Sequence, residues 1–156
     1  CGIGNFFGLL PECMAGSKLY GVELDSITGR IAKQLYQNAN ITIQGYEGTA
    51  LPDSFFDVAI GNVPFGDYGV ADKRYDKNHF LIHDYFIAKT LDKVRPGGII
   101  AFVTSSGTMD KKNPSVRKYI AQRADLLGAC RIMPSLPMRA RALLRIYCSC
   151  KSVTAL

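Results

Sequence analysis

The chain has two histidines, no CxxC pair and an odd number of cysteines, so neither a zinc site nor a disulfide framework is expected. A reducing cytoplasm is the expected compartment. No apolar run approaches the length of a membrane span, and no basic flank marks the N-terminus as a signal peptide. The opening glycines are spaced GxGxxxG, not the GxGxxG of dinucleotide binders, and no Lys-Ser or Lys-Thr follows as in a P-loop. Acidic residues are absent from 129–156, where five basic residues stand alone: Arg131, Arg139, Arg141, Arg145 and Lys151.

What remains suits one soluble domain of 156 residues with 47% hydrophobic content. The net charge of +6 is unevenly placed, since residues 1–128 carry 14 basic and 13 acidic residues. Most of the chain is therefore nearly neutral and lacks the electrostatic footprint of an autonomous DNA binder.

The most informative stretch is Phe55-Phe56-Asp57-Val58-Ala59-Ile60 followed by Gly61-Asn62-Val63-Pro64-Phe65. The first part reads as a short buried strand closed by Gly and Pro. The carboxyl end of a strand in an open α/β sheet is where ligands bind. The Asn62 side-chain oxygen and a nearby main-chain carbonyl make two acceptors. Pro64 stiffens the turn and biases Val63 toward an extended conformation, and Phe65 offers a flat apolar face. Two acceptors beside a stacking plate suit a planar group bearing an exocyclic NH2. The plainer alternative is a strand followed by an ordinary Asn-Val-Pro turn.

Upstream, Cys1-Gly2-Ile3-Gly4-Asn5-Phe6-Phe7-Gly8 forms a glycine-rich turn of the kind that lets backbone approach a ligand. Lys18 to Leu24 reads as a strand with Glu23 at its end, 21 residues after Gly2. An acid there accepts from the ribose hydroxyls of a nucleoside cofactor; read structurally, it is charge near a helix start capped by Asp25-Ser26. The spacing predicts a helix carried by Ile27, Ile31 and Leu35. Ile41 to Gly45 is a further strand, and Glu47 in the turn after it is either an acceptor for a cofactor amino group or a solvated turn residue.

Residues 66–78 form a polar loop, either a lid that meets substrate or an unremarkable surface loop. His79 to Val94 reads as a long helix with Phe80, Ile87, Leu91 and Val94 on one stripe, stopped by Arg95-Pro96-Gly97-Gly98. Ile99 to Thr104 is a buried strand. Asn113-Pro114 begins another helix, with Val116, Tyr119 and Ile120 inward. The alternation indicates an α/β fold, a Rossmann-like, doubly wound and mostly parallel sheet.

CGIGNFFG, GVELD and GNVPF together resemble the S-adenosylmethionine-dependent adenine-N6 DNA methyltransferases: their cofactor glycine loop, second cofactor motif and [DNS]-P-P-[YFW] catalytic motif. DYFIAKTLDKVRPGGIIAFVTSSGTMDK is similar to the helix and strand that follow. More narrowly, residues 1–129 resemble the methylase segment of large methylase–helicase proteins of mobile elements. The resemblance implies the class I methyltransferase sheet and S-adenosylmethionine as cofactor. It implies cofactor contacts at Cys1, Gly2, Gly4, Asn5, Phe6, Glu23, Leu24, Glu47 and Asn62, and a catalytic set of Asn62, Val63, Pro64 and Phe65. Val63 replaces the family's first proline, at a position whose role is a main-chain carbonyl. The implied partners are a flipped-out adenine in DNA, and target-recognition and helicase domains of a larger chain; no membrane is implied.

Against that family the sheet is expected to be incomplete, with its first strand missing before Cys1 and its C-terminal edge altered. Residues 1–129 are then a partial catalytic domain. Residues 130–156 are an aberrant basic tail that lacks Gly, Asp, Glu, Asn and Gln. Codons for Met133 to Met138 can encode Asn-Ala-Phe-Leu-Ala-Asn in the neighbouring frame, close to the expected family sequence. This points to a frameshift near Arg131; a basic tail that binds nucleic acid is the alternative. So read, the 156-residue chain alone is expected to unfold with weak cooperativity and to be inactive. The rival functions are methyl transfer to an RNA base or a protein glutamine amide, a non-catalytic remnant, and more distantly a NAD-dependent oxidoreductase.

Overall fold

The computed structural model describes residues 1–105, 107–131 and 142–149. The chain divides into two compact units, Cys1–Ala50 and Leu51–Leu156.

In the first unit, the glycine turn leads through short 3-10 turns at Phe7–Leu9 and Glu12–Met14 into β1 (Tyr20–Glu23). Helix α1 (Ser26–Leu35) then crosses to β2 (Asn40–Ile43), which pairs with β1 in parallel, Tyr20 opposite Asn40 and Glu23 opposite Ile43. Asp25 caps α1 as expected, its carboxylate accepting the Thr28 N–H at 2.7 Å. The helix face differs from the expected one. Ile27, Ile31 and Leu35 are exposed, and the buried helix residues are Gly29 and Ala32. A Cβ at Gly29 would lie 2.8 Å from Ile43 Cγ1, so the missing side chain is what brings α1 close to β2. The helix therefore packs through its small residues, and the large stripe faces away from them.

The second unit holds β3 (Phe56–Asn62), α2 (Ile82–Lys93), β4 (Val94–Ser105), α3 (Gly107–Asp110), α4 (Ser115–Ala121), β5 (Asp125–Arg131) and β6 (Ala142–Ser149). The sheet order is β3-β4-β6-β5; β3 and β4 are parallel, and β6 runs antiparallel to both its neighbours. One face of β4 presents Ile100 and Phe102 to a core completed by Val63, Ile87, Leu91, Val94, Ile120 and Ala124. Val58 and Ile60 of β3 and Ile99 of β4 are exposed.

Several boundaries differ from those read in the sequence. The long helix begins at Ile82, not His79, because Asp76–Asn78 form a 3-10 turn and His79 is left-handed at φ 49°. Arg95 to Gly98 lie within β4, where Gly97 takes φ 80° and the register against β3 jumps between Phe56 and Val58. Strand β5 was not foreseen. At the C-terminal edge, expected to be altered, residues 142–149 form a strand that pairs along β4 and β5. Ladder bonds are made by the main chain, so an apolar run there suffices without turn signals. Most of the proposed tail, including Met133 to Met138, lies outside the described residues.

Candidate functional site

Each unit carries part of the expected site. In the first unit the sheet ends at Glu23, whose carboxylate accepts from the Gly2 N–H at 2.7 Å, the Cys1 amino group at 3.1 Å and the Asp25 N–H at 3.0 Å. Burial pushes this carboxyl up, but the bonds from the Asp25 and Gly2 N–H groups oppose it, and the group lies below its ordinary 4.5. Cys1, Gly2 and Glu23 are thus in direct contact. Gly2 and Gly4 both have positive φ, 60° and 90°, and a Cβ at Gly4 would overlap the Tyr36 ring. Asn5 and Phe6 continue the turn. Leu24 is exposed beside Glu23. Because β1 and β2 are parallel, Leu24 and the 3-10 turn Tyr46–Gly48, with Glu47 exposed on it, both follow carboxyl ends of this small sheet.

In the second unit, Asn62 is the last residue of β3 and is exposed. Val63 is buried in the core, its N–H donating to Val103 O at 3.0 Å. That anchor, followed by Pro64, fixes the backbone on which Asn62 and Phe65 stand. Phe65 is 49% exposed. Asn62, Pro64 and Phe65 are therefore exposed at the carboxyl end of a strand, with Val63 buried between them.

The loop that follows is neither free nor featureless. Asp72 accepts from Tyr85 Oη at 2.8 Å and Lys89 Nζ at 3.1 Å, both on α2. Tyr75 Oη donates to Asp92 at 2.6 Å, and Arg74 reaches Asp53 at 2.8 Å and Asp92 at 3.0 Å. Lys93 closes the network on Asp53 and the Leu51 carbonyl. Burial raises the Asp72 carboxyl, yet the Tyr85 and Lys89 bonds leave it below its ordinary 3.8. Lys93 and Arg74 likewise hold Asp53 low. Residues 72–75 are thus fastened to α2, and the lid reading fits at most the stretch before Asp72. A cavity of about 430 Å³ opens against this loop, lined by Gly69, Ala71, Tyr75, His79, Phe80 and Tyr85, and does not include Asn62 or Phe65.

Sequence reasoning missed a second polar group. Asp84, 1% exposed, accepts from Lys111 Nζ at 2.8 Å and lies 3.6 Å from His83 Nε2. Arg117 holds the same segment by donating to the Met109 and Lys111 carbonyls. An acid in the first turn of a helix and a lysine 27 positions later carry no sequence signature.

The Tyr75 contact has a consequence at high pH. Burial first, and then the Asp92 carboxylate, push this phenol above its ordinary value of 10.0. A raised folded value means stability that is fully present below about pH 10 and lost as pH rises through the folded value. In an alkaline titration, Tyr75 is expected to ionise late and together with loss of secondary structure, and Tyr119, which burial also raises, later than its ordinary value. Eight tyrosines titrating alike in a chain that stays folded would contradict the contact.

Among the described residues no group of three or more His, Cys, Asp or Glu side chains could hold a metal ion, and no helix is long and apolar enough to cross a membrane. No family model matches the chain. A search of curated proteins finds Defense against restriction protein B of Escherichia phage P1, 30% identical over 123 residues, covering 75% of this chain but 5% of that protein. Among solved structures, a protein assigned to the class I S-adenosylmethionine-dependent methyltransferases from Listeria monocytogenes superposes with a TM-score of 0.79 at 20% identity, over 99% of this chain and 53% of that one. A TehB-like methyltransferase from Corynebacterium glutamicum gives 0.61 at 16% identity, over 96% and 76%. The chain has the class I methyltransferase fold; it spans about half of the Listeria protein and a twentieth of the phage relative.

Proposed function

We propose that the chain is the core of a larger methyltransferase that moves a methyl group from S-adenosylmethionine to the N6 amino group of adenine in DNA. The observation that carries this is the presentation of Asn62 and Phe65 at the carboxyl end of β3, on a backbone anchored by buried Val63. The phage relative, named for defence against restriction, supports a DNA acceptor. Its far greater length supports further domains, target recognition and helicase among them, as partners in one larger protein.

The first unit fits the cofactor. Glu23 ends β1 with its carboxylate kept ionised, and the turn through Gly2 and Gly4 is tied to it. Glu23 would take the ribose hydroxyls, Leu24 and Glu47 the adenine end, and Cys1, Gly2, Gly4, Asn5 and Phe6 the remaining backbone-lined surface. S-adenosylmethionine would supply an electrophilic methyl on a sulfonium.

Asn62 and the Val63 carbonyl would accept hydrogen bonds from the target amino group. That draws the N6 lone pair out of ring conjugation and toward a tetrahedral, nucleophilic geometry. Positioning and electrostatics then supply the rate. The base must leave the duplex first, and stacking on Phe65 offsets ~1–3 kcal/mol of that cost. Neither a metal nor a cysteine nucleophile is part of the proposal.

Glu23→Ala is expected to weaken S-adenosylmethionine binding by ~1–3 kcal/mol, the range for charge-assisted hydrogen bonds. Titration calorimetry checks it; unchanged affinity removes Glu23 from the cofactor site.

A further inference from the structure

We infer that Tyr68 is a second nucleobase-stacking ring, three residues on from Phe65, that takes a base of the same strand next to the target. This rests on the target-base reading of Asn62 to Phe65 and adds a residue to it.

The tyrosines of residues 66–85 divide sharply. Tyr75 and Tyr85 are 4% and 1% exposed, and their hydroxyls are bonded to Asp92 and Asp72. Tyr68 is 56% exposed and its hydroxyl makes no hydrogen bond among the described residues. It has no part in the core. Yet its backbone is not loose: its carbonyl accepts the N–H of Ile82, the first residue of α2, at 2.8 Å, and Gly69 forms a bridge with Leu81.

The ring itself has a seat. A Cβ at Gly66 would lie 2.6 Å from Tyr68 Cε1 and 2.9 Å from Cδ1, so the ring rests over the bare glycine backbone. Two large aromatic residues, Phe65 and Tyr68, are therefore exposed within three positions of each other in the segment that follows β3. A glutamine amide needs one flat contact; a row of bases can use both rings. A ring already held in place loses little freedom when a base stacks on it. Lys73 and Lys77, in the same segment, are exposed and make no ion pair among the described residues, leaving them free to meet phosphates, whereas Arg74 is committed to Asp53 and Asp92.

The test is fluorescence-anisotropy titration of the protein, expressed in its natural coding context, with a labelled deoxyadenosine oligonucleotide and with an abasic oligonucleotide of equal length. The chain is expected to bind the adenine strand more tightly. Tyr68→Ala should reduce that affinity on the order of tenfold and leave abasic binding unchanged. Tyr68→Phe should keep the affinity, because the hydroxyl has no partner, and Gly66→Ala should lower it by pushing the ring off its seat. Unchanged adenine-strand affinity in Tyr68→Ala, with a loss in Phe65→Ala, overturns the inference and leaves the target-base reading standing. Equal affinity of the unaltered chain for the two strands overturns that reading, and the inference with it.

Discussion

Asn62→Ala is expected to lower methyl transfer about 100- to 1,000-fold, the loss that follows removal of one preorganised hydrogen-bonding group aimed at the reacting atom. The expectation follows from where the residue stands. Asn62 ends β3 and is exposed, so truncating it opens no cavity, while buried Val63 next to it keeps the strand end in place. The effect should fall on turnover far more than on S-adenosylmethionine affinity, because the proposed contact to the target amino group is made most fully as the nitrogen becomes nucleophilic. Kinetics and calorimetry on the same variant, in its natural coding context, separate the two. Turnover within a few-fold of the unaltered protein would contradict the role given to Asn62.

The second large effect is structural. Lys111→Ala is expected to destabilise the second unit by roughly 3–5 kcal/mol, as when one member of a buried ion pair is removed. Asp84 is 1% exposed and Lys111 31%, so the carboxylate loses its ammonium and meets water only through the space the lysine leaves. Out of about 5–15 kcal/mol for a whole domain, that is enough to unfold a large share of molecules on mild heating. The double variant Asp84→Ala with Lys111→Ala should recover part of the loss, since it leaves no stranded charge. Urea denaturation of the set checks it; a loss below about 1 kcal/mol in Lys111→Ala would mean that the pair behaves as an exposed one.

What the sequence disclosed and what it hid follow from the kinds of interaction involved. The β3 stretch and its motif were legible because an apolar run, a glycine and a proline are local signals, and the structure ends the strand at Asn62 accordingly. Glu23 was legible for the same reason, and the structure adds that its carboxylate grips the glycine turn. The face of α1 was misread. Spacing showed the large residues Ile27, Ile31 and Leu35, but the close approach is made where bulk is missing, at Gly29. Asp84–Lys111 and the fastening of residues 72–75 are contacts between side chains distant in sequence, which no local pattern announces. Strand β6 was hidden because a strand flanked on both sides needs no polar alternation.

The most direct test of the account is identification of the methylated product. The protein, expressed in its natural coding context, is incubated with S-adenosylmethionine carrying a labelled methyl group. DNA, RNA and glutamine-containing protein are offered together, and each acceptor is hydrolysed and separated by chromatography. The account predicts label in N6-methyladenine from DNA, and its loss in Asn62→Ala. Label confined to RNA, to glutamine or to a base other than adenine would contradict it.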